Sequence, residues 1–218
     1  MKLSVILSIP KTIKFNLRHL PITQAVKLPI WVHYRTQAHV KGKIELPRVV
    51  LPFMIRIGFH TSEECNYYDE TRLSIATGGV LQFNGTAHIG RGSKIVVASD
   101  GEMILGDNFA ISASSTIVSY KKVVFGKDIQ FSWDCLVMDS DTHSIYNEEG
   151  LISNQPREIR FGDKVWICNG CMILKGTEIP SNCVIGAHSV VSGHKFESNS
   201  IIAGSPAKVV KKIKGWSL

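Results

Sequence analysis

The segment MDSDTHSIYN, residues 138–147, places His143 close to two carboxylates, Asp139 and Asp141. Imidazole has an unperturbed pKa of about 6.5, so this side chain could act as a general base near neutral pH. It could also bind a metal or be a polar loop residue. Asp139, Asp141 or a backbone carbonyl could orient the ring, although an aspartate here could equally be a turn residue bonded to its own backbone. The choice depends on the elements that position the segment.

Bulky apolar residues recur every six positions on both sides of the segment. This period fits neither an amphipathic helix nor one long strand. It predicts short strands joined by tight turns and stacked as a parallel β-helix, with glycine at sharp turns and compact residues sharing the interior. The ladder comprises Leu105, Ile111, Ile117, Phe125, Phe131, Val137, Phe161, Ile167, Ile173, Ile179, Ile185 and Val191.

The ladder is interrupted between Val137 and Phe161, so we predict an extruded loop over residues 138–160. Connections of this length inside a compact domain are usually functional or disordered. His143 comes six residues after Val137 and should therefore lie near the rigid wall of the solenoid.

The segment GDKVWICNGCMILKGTEIPSNCVIGAHSVVS, followed by NSIIAGSPAKVVKKI, resembles the hexapeptide-repeat acyltransferases. The resemblance covers residues 85–213 and is closest to the branch that O-acetylates sugars and polysaccharides. It implies an all-β fold, a left-handed parallel β-helix that is usually a homotrimer, against the general right-handed crossover preference. It also implies transfer of acetyl from acetyl-CoA to a sugar hydroxyl in surface polysaccharide synthesis, with His143 as the base.

Coenzyme A carries phosphates, so its site needs cations and backbone donors. The tail matches the family pattern Pro-Ala-Lys/Arg-x-x-Lys/Arg, whose cations approach the phosphates in relatives. The resemblance also implies a tryptophan near the thioester and three contacts to the pantetheine arm. The candidate coenzyme-binding residues are Trp166, Asn169, Ala187, Ser192, Lys208 and Lys211.

Four positions depart from the family pattern. Ser144 follows the histidine where many relatives have proline, which leaves the rigidity of the loop open. Cys168 and His188 stand where glycine is common, and Ser192-Gly193-His194 replaces a more frequent Thr-Lys. The pantetheine tunnel could therefore differ in shape, and the acyl chain could differ from acetyl.

We expect no metal site. A catalytic zinc needs three converging ligands and an open position. The histidines do not have the spacing of the trimeric carbonic anhydrases that share this type of fold. Among the five cysteines, Cys168 and Cys171 have the CxxC spacing, but no second CxxC pair accompanies them. Three fall on compact inner positions, where they should be buried small hydrophobes. The histidines are His88, His143, His188 and His194, and the three cysteines are Cys135, Cys171 and Cys183.

Positive charge is concentrated in residues 1–60. This part carries ten Lys/Arg and one acid, hence +9, whereas the remaining fifteen basic and seventeen acidic residues give −2. Such an arm suggests a phospholipid surface, a polyprenyl phosphate or a nucleotide as partner, or a solvated basic face. No nucleic-acid-binding module is recognisable. We expect an arm or cap over 1–60, the β-helix over 61–204, and a tail or short helix over 205–218.

The sequence indicates the identity of the acceptor sugar less clearly than the other features. Tyr67, Asp69 and Asn84 are the candidate acceptor contacts. With no signal peptide and no apolar run of about 20 residues, we expect a cytoplasmic protein with peripheral contact to the inner face of the membrane. N-acetylation of a nucleotide-linked amino sugar and a non-enzymatic solenoid scaffold are the alternatives.

Overall fold

The computed structural model describes residues 3–59 and 69–217. Two helices, α1 (Leu3–His19) and α2 (Ile22–Ala25), precede the strands in these ranges. Neither is long and apolar enough to cross a membrane.

The strands form three sheets, so that each coil of the chain contributes one strand to each sheet in turn. Sheet A contains β1 (Ile30–Val32), β4 (Ile55–Phe59), β7 (Ala87–Gly90), β10 (Phe109–Ala113), β13 (Gln130–Trp133), β16 (Trp166–Ile167), β19 (Val184–Ile185), β21 (Ser200–Gly204) and β22 (Ala207–Lys212). Sheet B contains β2 (Gln37–Val40), β5 (Arg72–Ile75), β8 (Lys94–Val97), β11 (Thr116–Ser119), β14 (Leu136–Met138), β17 (Met172–Leu174) and β20 (Val190–Ser192). Sheet C contains β3 (Lys43–Glu45), β6 (Val80–Phe83), β9 (Glu102–Leu105), β12 (Lys122–Phe125), β15 (Ile159–Phe161) and β18 (Glu178–Ile179).

Parallel pairing between successive coils aligns the six-residue ladder into columns. In sheet A, Ile111 is in register with Phe131, which is in register with Ile167 and then Ile185. All four side chains are buried, because alternate residues of each strand point into the interior. The predicted parallel β-helix, with one apolar residue per strand filling the core, is confirmed.

Aromatic rings fill the middle of this core. The rings of Phe125 and Phe161 stack at 4.7 Å between centroids, and Phe109 and Phe131 pack around them. The compact inner positions, including Cys135 and the other predicted cysteines, are also buried. Small residues share each layer with a large one, which keeps the interior closely packed.

The glycines that follow the apolar residues have a different role from the predicted one. A Cβ built on Gly106 would lie 2.0 Å from the carbonyl oxygen of Gly126 in the next coil. Close stacking of neighbouring coils therefore excludes a side chain there. The left-handed backbone needed at the corner is supplied instead by Asn108, with φ of +56°, a conformation that asparagine tolerates well.

The β-helix begins earlier than the predicted residue 61. Strand β1 starts at Ile30 and pairs in parallel with β4 through Ile30 and Ile55, so much of the predicted arm over 1–60 belongs to the first coil. The first connections do not keep the six-residue spacing, but hydrogen bonding between coils requires only that the strands stack. The remaining helical segment covers the end of the solenoid.

The predicted C-terminal helix is wrong. Residues Ala207–Lys212 form β22, which pairs antiparallel with β21. The last parallel strand leaves an open edge of unpaired backbone groups, and the returning chain pairs with that edge. Trp216 then packs beside Trp166, at 6.1 Å between ring centroids, and its indole N–H donates to the carbonyl of Lys164 at 2.9 Å.

Candidate active site

The loop between β14 and β15 projects from sheet B as a short hairpin. Its two arms meet in an antiparallel bridge between Tyr146 and Ile152. Both side chains are exposed, as are the neighbouring Ile145 and Leu151. Apolar side chains at the tip of a polar loop have no partner within the described chain, which is typical of a contact surface.

His143 lies at the base of this loop, as predicted from its distance to Val137. Its backbone N–H donates to the carbonyl of Asp141 at 2.8 Å, and Thr142 between them has φ of +65°. The side chain is exposed, and no hydrogen bond joins its ring to any described residue. The backbone at His143 is thus held while both ring nitrogens remain open to a ligand.

Asn154 and Lys175 fix the turn that carries His143. The Asn154 amide donates to the His143 carbonyl at 2.8 Å and to the Asp141 carboxylate at 2.9 Å, and it accepts the N–H of Ile145 at 2.7 Å. Lys175, directly after β17, forms an ion pair with Asp141 and donates to the Asn154 carbonyl. The turn is therefore tied to the solenoid wall.

This arrangement defines the role of Asp141. Hydrogen bonds from Lys175 and then Asn154 hold the pKa of the Asp141 carboxyl below its usual value. The carboxylate braces the turn, and no hydrogen bond joins it to the His143 ring. Sequence reasoning missed Asn154 and Lys175, because neither residue lies on the ladder or in the segment MDSDTHSIYN.

Asp139 belongs to the wall. Its carboxylate is fully buried and accepts the backbone N–H groups of Tyr120, Lys121 and Lys122 at 2.7–2.8 Å, with the Ser119 hydroxyl at 3.3 Å. These donors line the corner of the preceding coil. The expectation that Asp139 orients His143 is therefore corrected: its oxygen atoms are occupied by the corner, and it terminates β14 instead.

Three of the coenzyme candidates lie on sheet A. Trp166 is 37% exposed, and its indole N–H donates to the Ser132 hydroxyl at 3.3 Å. Lys208 and Lys211 are exposed on β22, and neither has an ion-pair partner in the described part of the chain. Trp216, beside Trp166, is a further candidate that the repeat pattern could not indicate, because it lies beyond the ladder.

The other coenzyme candidates lie at the corner from sheet A to sheet B and beyond it. The Asn169 carbonyl accepts the N–H of His188 at 3.0 Å, and Ala187 is exposed beside it. Ser192 lies on β20 at the far end of sheet B, in register with Leu174. Sheet B thus separates Asn169 and Ala187 from the corner that carries His143, and one chain does not bring all the candidates together.

Asp69 borders a charged cleft of about 370 Å³ on the outer face of sheet B. Arg72 and Lys94 line the same cleft and occupy adjacent strands in register. Ser114 donates to the Asp69 carboxylate at a long 3.5 Å. The cleft has the mixture of cations, acids and hydroxyls that a polar ligand needs.

The two other acceptor candidates are not placed there. Tyr67 lies outside the described residues. Asn84 follows β6 in sheet C, and its side-chain oxygen accepts a hydrogen bond from Gln82 at 2.6 Å. The structure therefore puts Asn84 on a different face from the cleft at Asp69.

The described residues include no cluster of three or more His, Cys, Asp or Glu side chains suited to a metal ion. Three of the thiols in the described residues are poor nucleophiles, since a thiolate is the reactive form and their pKa values are raised. The hydrogen bond with Cys135 lowers the pKa of Cys171, but that side chain is only 1% exposed and does not face a substrate site. Burial raises the pKa of Cys168 to about 11 and also raises that of Cys183. The hydrogen bond with Cys171, followed by burial, raises the pKa of Cys135.

Comparison with known proteins identifies the repeat in part of this chain and gives its similar proteins. Residues 158–193 match the family described as bacterial transferase hexapeptide, six repeats. The putative lipopolysaccharide biosynthesis O-acetyl transferase WbbJ of Escherichia coli K12 is 29% identical over 147 residues, covering 63% of this chain and 74% of that protein. A 24.8 kDa protein of the cps region of Klebsiella pneumoniae is 32% identical over 141 residues, covering 63% and 61% respectively.

Among solved structures, the chain is similar to the polysialic acid-specific acetyltransferase NeuO, with a TM-score of 0.43 and 20% identity over 87% of this chain and 79% of that one. The strand order defines the architecture as a parallel β-helix, and residues 158–193 carry the hexapeptide repeat of bacterial transferases, in agreement with the sequence prediction. The printed name of the Escherichia coli relative, an O-acetyl transferase, agrees with the predicted branch.

Proposed function

We propose that the chain transfers acetyl from acetyl-CoA to a hydroxyl group of a sugar in surface polysaccharide synthesis, with His143 as general base. The observation that carries this proposal is the open imidazole of His143 on a turn that Asn154, Asp141 and Lys175 brace against a rigid wall. The printed name of the Escherichia coli relative, an O-acetyl transferase of lipopolysaccharide biosynthesis, supports the acceptor class.

The proposed reaction is a direct transfer. A ring nitrogen of His143 removes the proton of the acceptor hydroxyl as its oxygen attacks the thioester carbonyl carbon. The tetrahedral intermediate then collapses, the carbon–sulfur bond breaks, and the coenzyme A thiolate receives the proton from the imidazolium. General-base catalysis of this kind typically contributes about 10²- to 10⁴-fold. No acyl-enzyme is required, in keeping with the buried thiols.

For the donor, we propose that Lys208 and Lys211 bind the phosphates of acetyl-CoA and that Trp166 lies near the thioester. Both lysines are exposed cations without an ion-pair partner among the described residues. Asn169, Ala187 and Ser192 are the proposed contacts to the pantetheine arm. Ammonium groups that have no other ionic partner can form ion pairs and hydrogen bonds with phosphate oxygen atoms.

For the acceptor, we propose the cleft at Asp69, Arg72 and Lys94. It shares the outer face of sheet B with the strand that precedes His143. Strands β8 and β14 are separated by β11 alone, so the cleft and the base of the loop are about 10 Å apart along the solenoid. A sugar chain lying along this face could reach both.

We propose a homotrimer as the active assembly, acting in the cytoplasm. The outer face of sheet B carries an apolar strip formed by Leu136, Met138, Met172 and Leu174, with Met172 39% exposed. Packing against a second copy would cover this strip and the loop tip. It would also let the His143 corner of one copy meet the coenzyme candidates of another, which one chain keeps apart.

The test is release of free thiol from acetyl-CoA in the presence of candidate glycans. His143→Ala should lose about 10²-fold or more in turnover while still binding coenzyme A by calorimetry. His39→Ala, an exposed histidine on β2, is the matched control and should retain activity. Unchanged turnover in His143→Ala would refute the mechanism.

The same assay separates the alternatives. Turnover only with amino-sugar nucleotides, and a small effect of His143→Ala, would favour N-acetylation. No turnover with any acceptor, together with no coenzyme A binding, would favour a scaffold.

A further inference from the structure

Helix α1 packs a mainly polar face, and not its apolar face, against the β-helix. A surface helix normally buries an apolar stripe and exposes a polar one. In α1 the buried positions include Ser8, Thr12 and Asn16, which recur every four residues and therefore share one face. The first coil is thus covered by a mainly polar stripe.

This polar stripe has a structural reason. The side chain of Asn16 accepts the N–H of Ile30 at 3.1 Å and donates to its carbonyl at 2.6 Å. Thr12 exchanges the same pair of bonds with Val32 at 3.1 and 3.2 Å. The helix therefore satisfies the open edge of β1, which would otherwise leave unpaired backbone groups at the end of the solenoid.

The opposite face of α1 is apolar and exposed. Leu3 is 70% exposed and Leu17 is 52% exposed, and the side chains between them on this face are also apolar and exposed. The apolar surface continues onto α2, where Val26 is 65% exposed. Together the exposed apolar side chains of this surface, which we call the outer face of α1, are Leu3, Ile6, Leu7, Ile9, Ile13, Leu17, Ile22 and Val26.

Cations surround this apolar surface. Lys14 and Arg18 are exposed and lie on the same side of the helix as Leu17, and Lys27 follows α2. No Asp or Glu occurs between residues 3 and 44. A surface that combines exposed leucine and isoleucine with unopposed positive charge is complementary to a layer that is apolar inside and negatively charged at its surface.

We propose that the outer face of α1 binds the surface of an anionic lipid bilayer. The helix would lie in the plane of the interface, with its apolar side chains about 5–10 Å into the boundary between headgroups and acyl chains. Lys14, Arg18 and Lys27 would contact lipid phosphates. Binding through this face leaves the polar stripe of α1 on β1, so the β-helix would sit end-on at the membrane.

A second copy of the chain is a weaker candidate for this surface. Two copies joined face to face would bring Lys14, Arg18 and Lys27 of each towards those of the other, with no acid between residues 3 and 44 to offset them. Like charges in a contact destabilise it. An anionic bilayer removes this repulsion, and charge therefore favours lipid.

The proposal is tested by flotation of the full chain with vesicles of phosphatidylethanolamine and phosphatidylglycerol, compared with phosphatidylcholine alone. Wild type should float with the anionic vesicles, and less at high salt, because screening weakens the contact with phosphate. Each basic residue near such a surface strengthens binding about five-fold, so K14E/R18E should weaken it by at least about 25-fold. K121E/K127E, with the same change in charge on the body of the solenoid, should bind as wild type.

The apolar contribution is tested separately. I13Q/L17Q should weaken flotation by about ten-fold or more, because two half-exposed side chains no longer enter the bilayer. I145Q/L151Q, at the exposed apolar tip of the loop between β14 and β15, should leave flotation unchanged. Thermal unfolding followed by circular dichroism should be the same for all variants, since none of these side chains is buried.

Three results would overturn the proposal. One is absence of flotation of the wild type with anionic vesicles. Another is equal loss in the control and outer-face variants, which would make the attachment non-specific. The third is a change in molar mass by light scattering for I13Q/L17Q without any vesicle binding, which would assign this face to contact between copies.

Discussion

Asp139 and Asp141 are two residues apart but belong to different parts of the molecule. Asp139 is buried at a corner of the wall, where four donors from the preceding coil surround its carboxylate. Asp141 is exposed on the loop and has Lys175 and Asn154 as partners. The two aspartates therefore differ in role. The wall fixes the position of the loop, and the loop presents the imidazole of His143 with ring nitrogens that make no hydrogen bond to the described residues.

The same division holds for the elements around them. In the wall, successive strands pair in register and every ladder residue is buried. In the loop, a small set of hydrogen bonds through Asn154 holds the backbone and the apolar tip is exposed. Variants in the wall should therefore affect stability first, whereas variants in the loop should affect rate.

The largest expected effect is on rate, at His143. His143→Ala should reduce turnover by about 10²- to 10⁴-fold because the substitution removes the proposed general base. The free energy of unfolding should stay within about 0.5 kcal/mol of wild type, since the ring is exposed. Urea unfolding beside the thiol-release assay checks both. A large loss of stability would show that the loop is part of the wall.

The largest effect on stability is expected at Asp139. Asp139→Asn replaces one accepting oxygen by a donor that faces backbone N–H groups, so the free energy of unfolding should fall by about 2–4 kcal/mol. Asp163→Asn is the control, since Asp163 is an exposed corner residue that accepts the N–H of Lys127 at 2.8 Å. If the two variants unfold alike, burial of Asp139 does not matter.

A smaller effect is expected at the brace of the loop. Asn154→Ala and Lys175→Met should each lower turnover by about ten-fold, because the turn bearing His143 is no longer held in place. Lys175→Arg should restore most of the rate by keeping the ion pair with Asp141.

The control for the brace is Lys195→Met, which removes the exposed ion pair to Glu178 at 2.8 Å. It should change neither rate nor stability. Loss of rate in this control equal to that of Lys175→Met would remove the argument for positioning.

The smallest expected effect is on the pH dependence of stability at Asp141. Its pKa in the folded state is lowered by Lys175 and Asn154, so its contribution is fully present above the unfolded-state pKa of about 3.9 and is lost as the pH falls through the lower folded-state value. The difference in unfolding free energy between wild type and Asp141→Asn should therefore be constant above about pH 5 and shrink below about pH 4. When Asp141→Asn is made in the Lys175→Met background, the dependence on pH should be weaker, because only the hydrogen bond from Asn154 then remains. A difference that grows as the pH falls would contradict the assignment.

The sequence by itself determined the solenoid and its interruption. Each coil needs one bulky apolar residue per short strand, so the requirement repeats every six residues and is visible without any contact being known. The interruption of the same six-residue pattern revealed the loop that carries His143. Each of these requirements concerns neighbouring residues within one coil, so it appears as a repeating pattern in the sequence.

Tertiary structure alone decided the roles of the two aspartates. The donors of Asp139 lie 17 to 20 residues earlier, and the partner of Asp141 lies 34 residues later. Which of them meets the corner of a neighbouring coil depends on how the coils stack, and the segment MDSDTHSIYN by itself does not show this.

The two ends of the chain were likewise decided by stacking. The first coil at Ile30 and the strand β22 exist because open sheet edges accept any backbone that can pair with them, whatever its spacing. The reversed faces of α1 follow from the same cause. A stripe of Ser8, Thr12 and Asn16 reads as solvent-facing in sequence, and only the edge of β1 beside it makes that stripe the buried one.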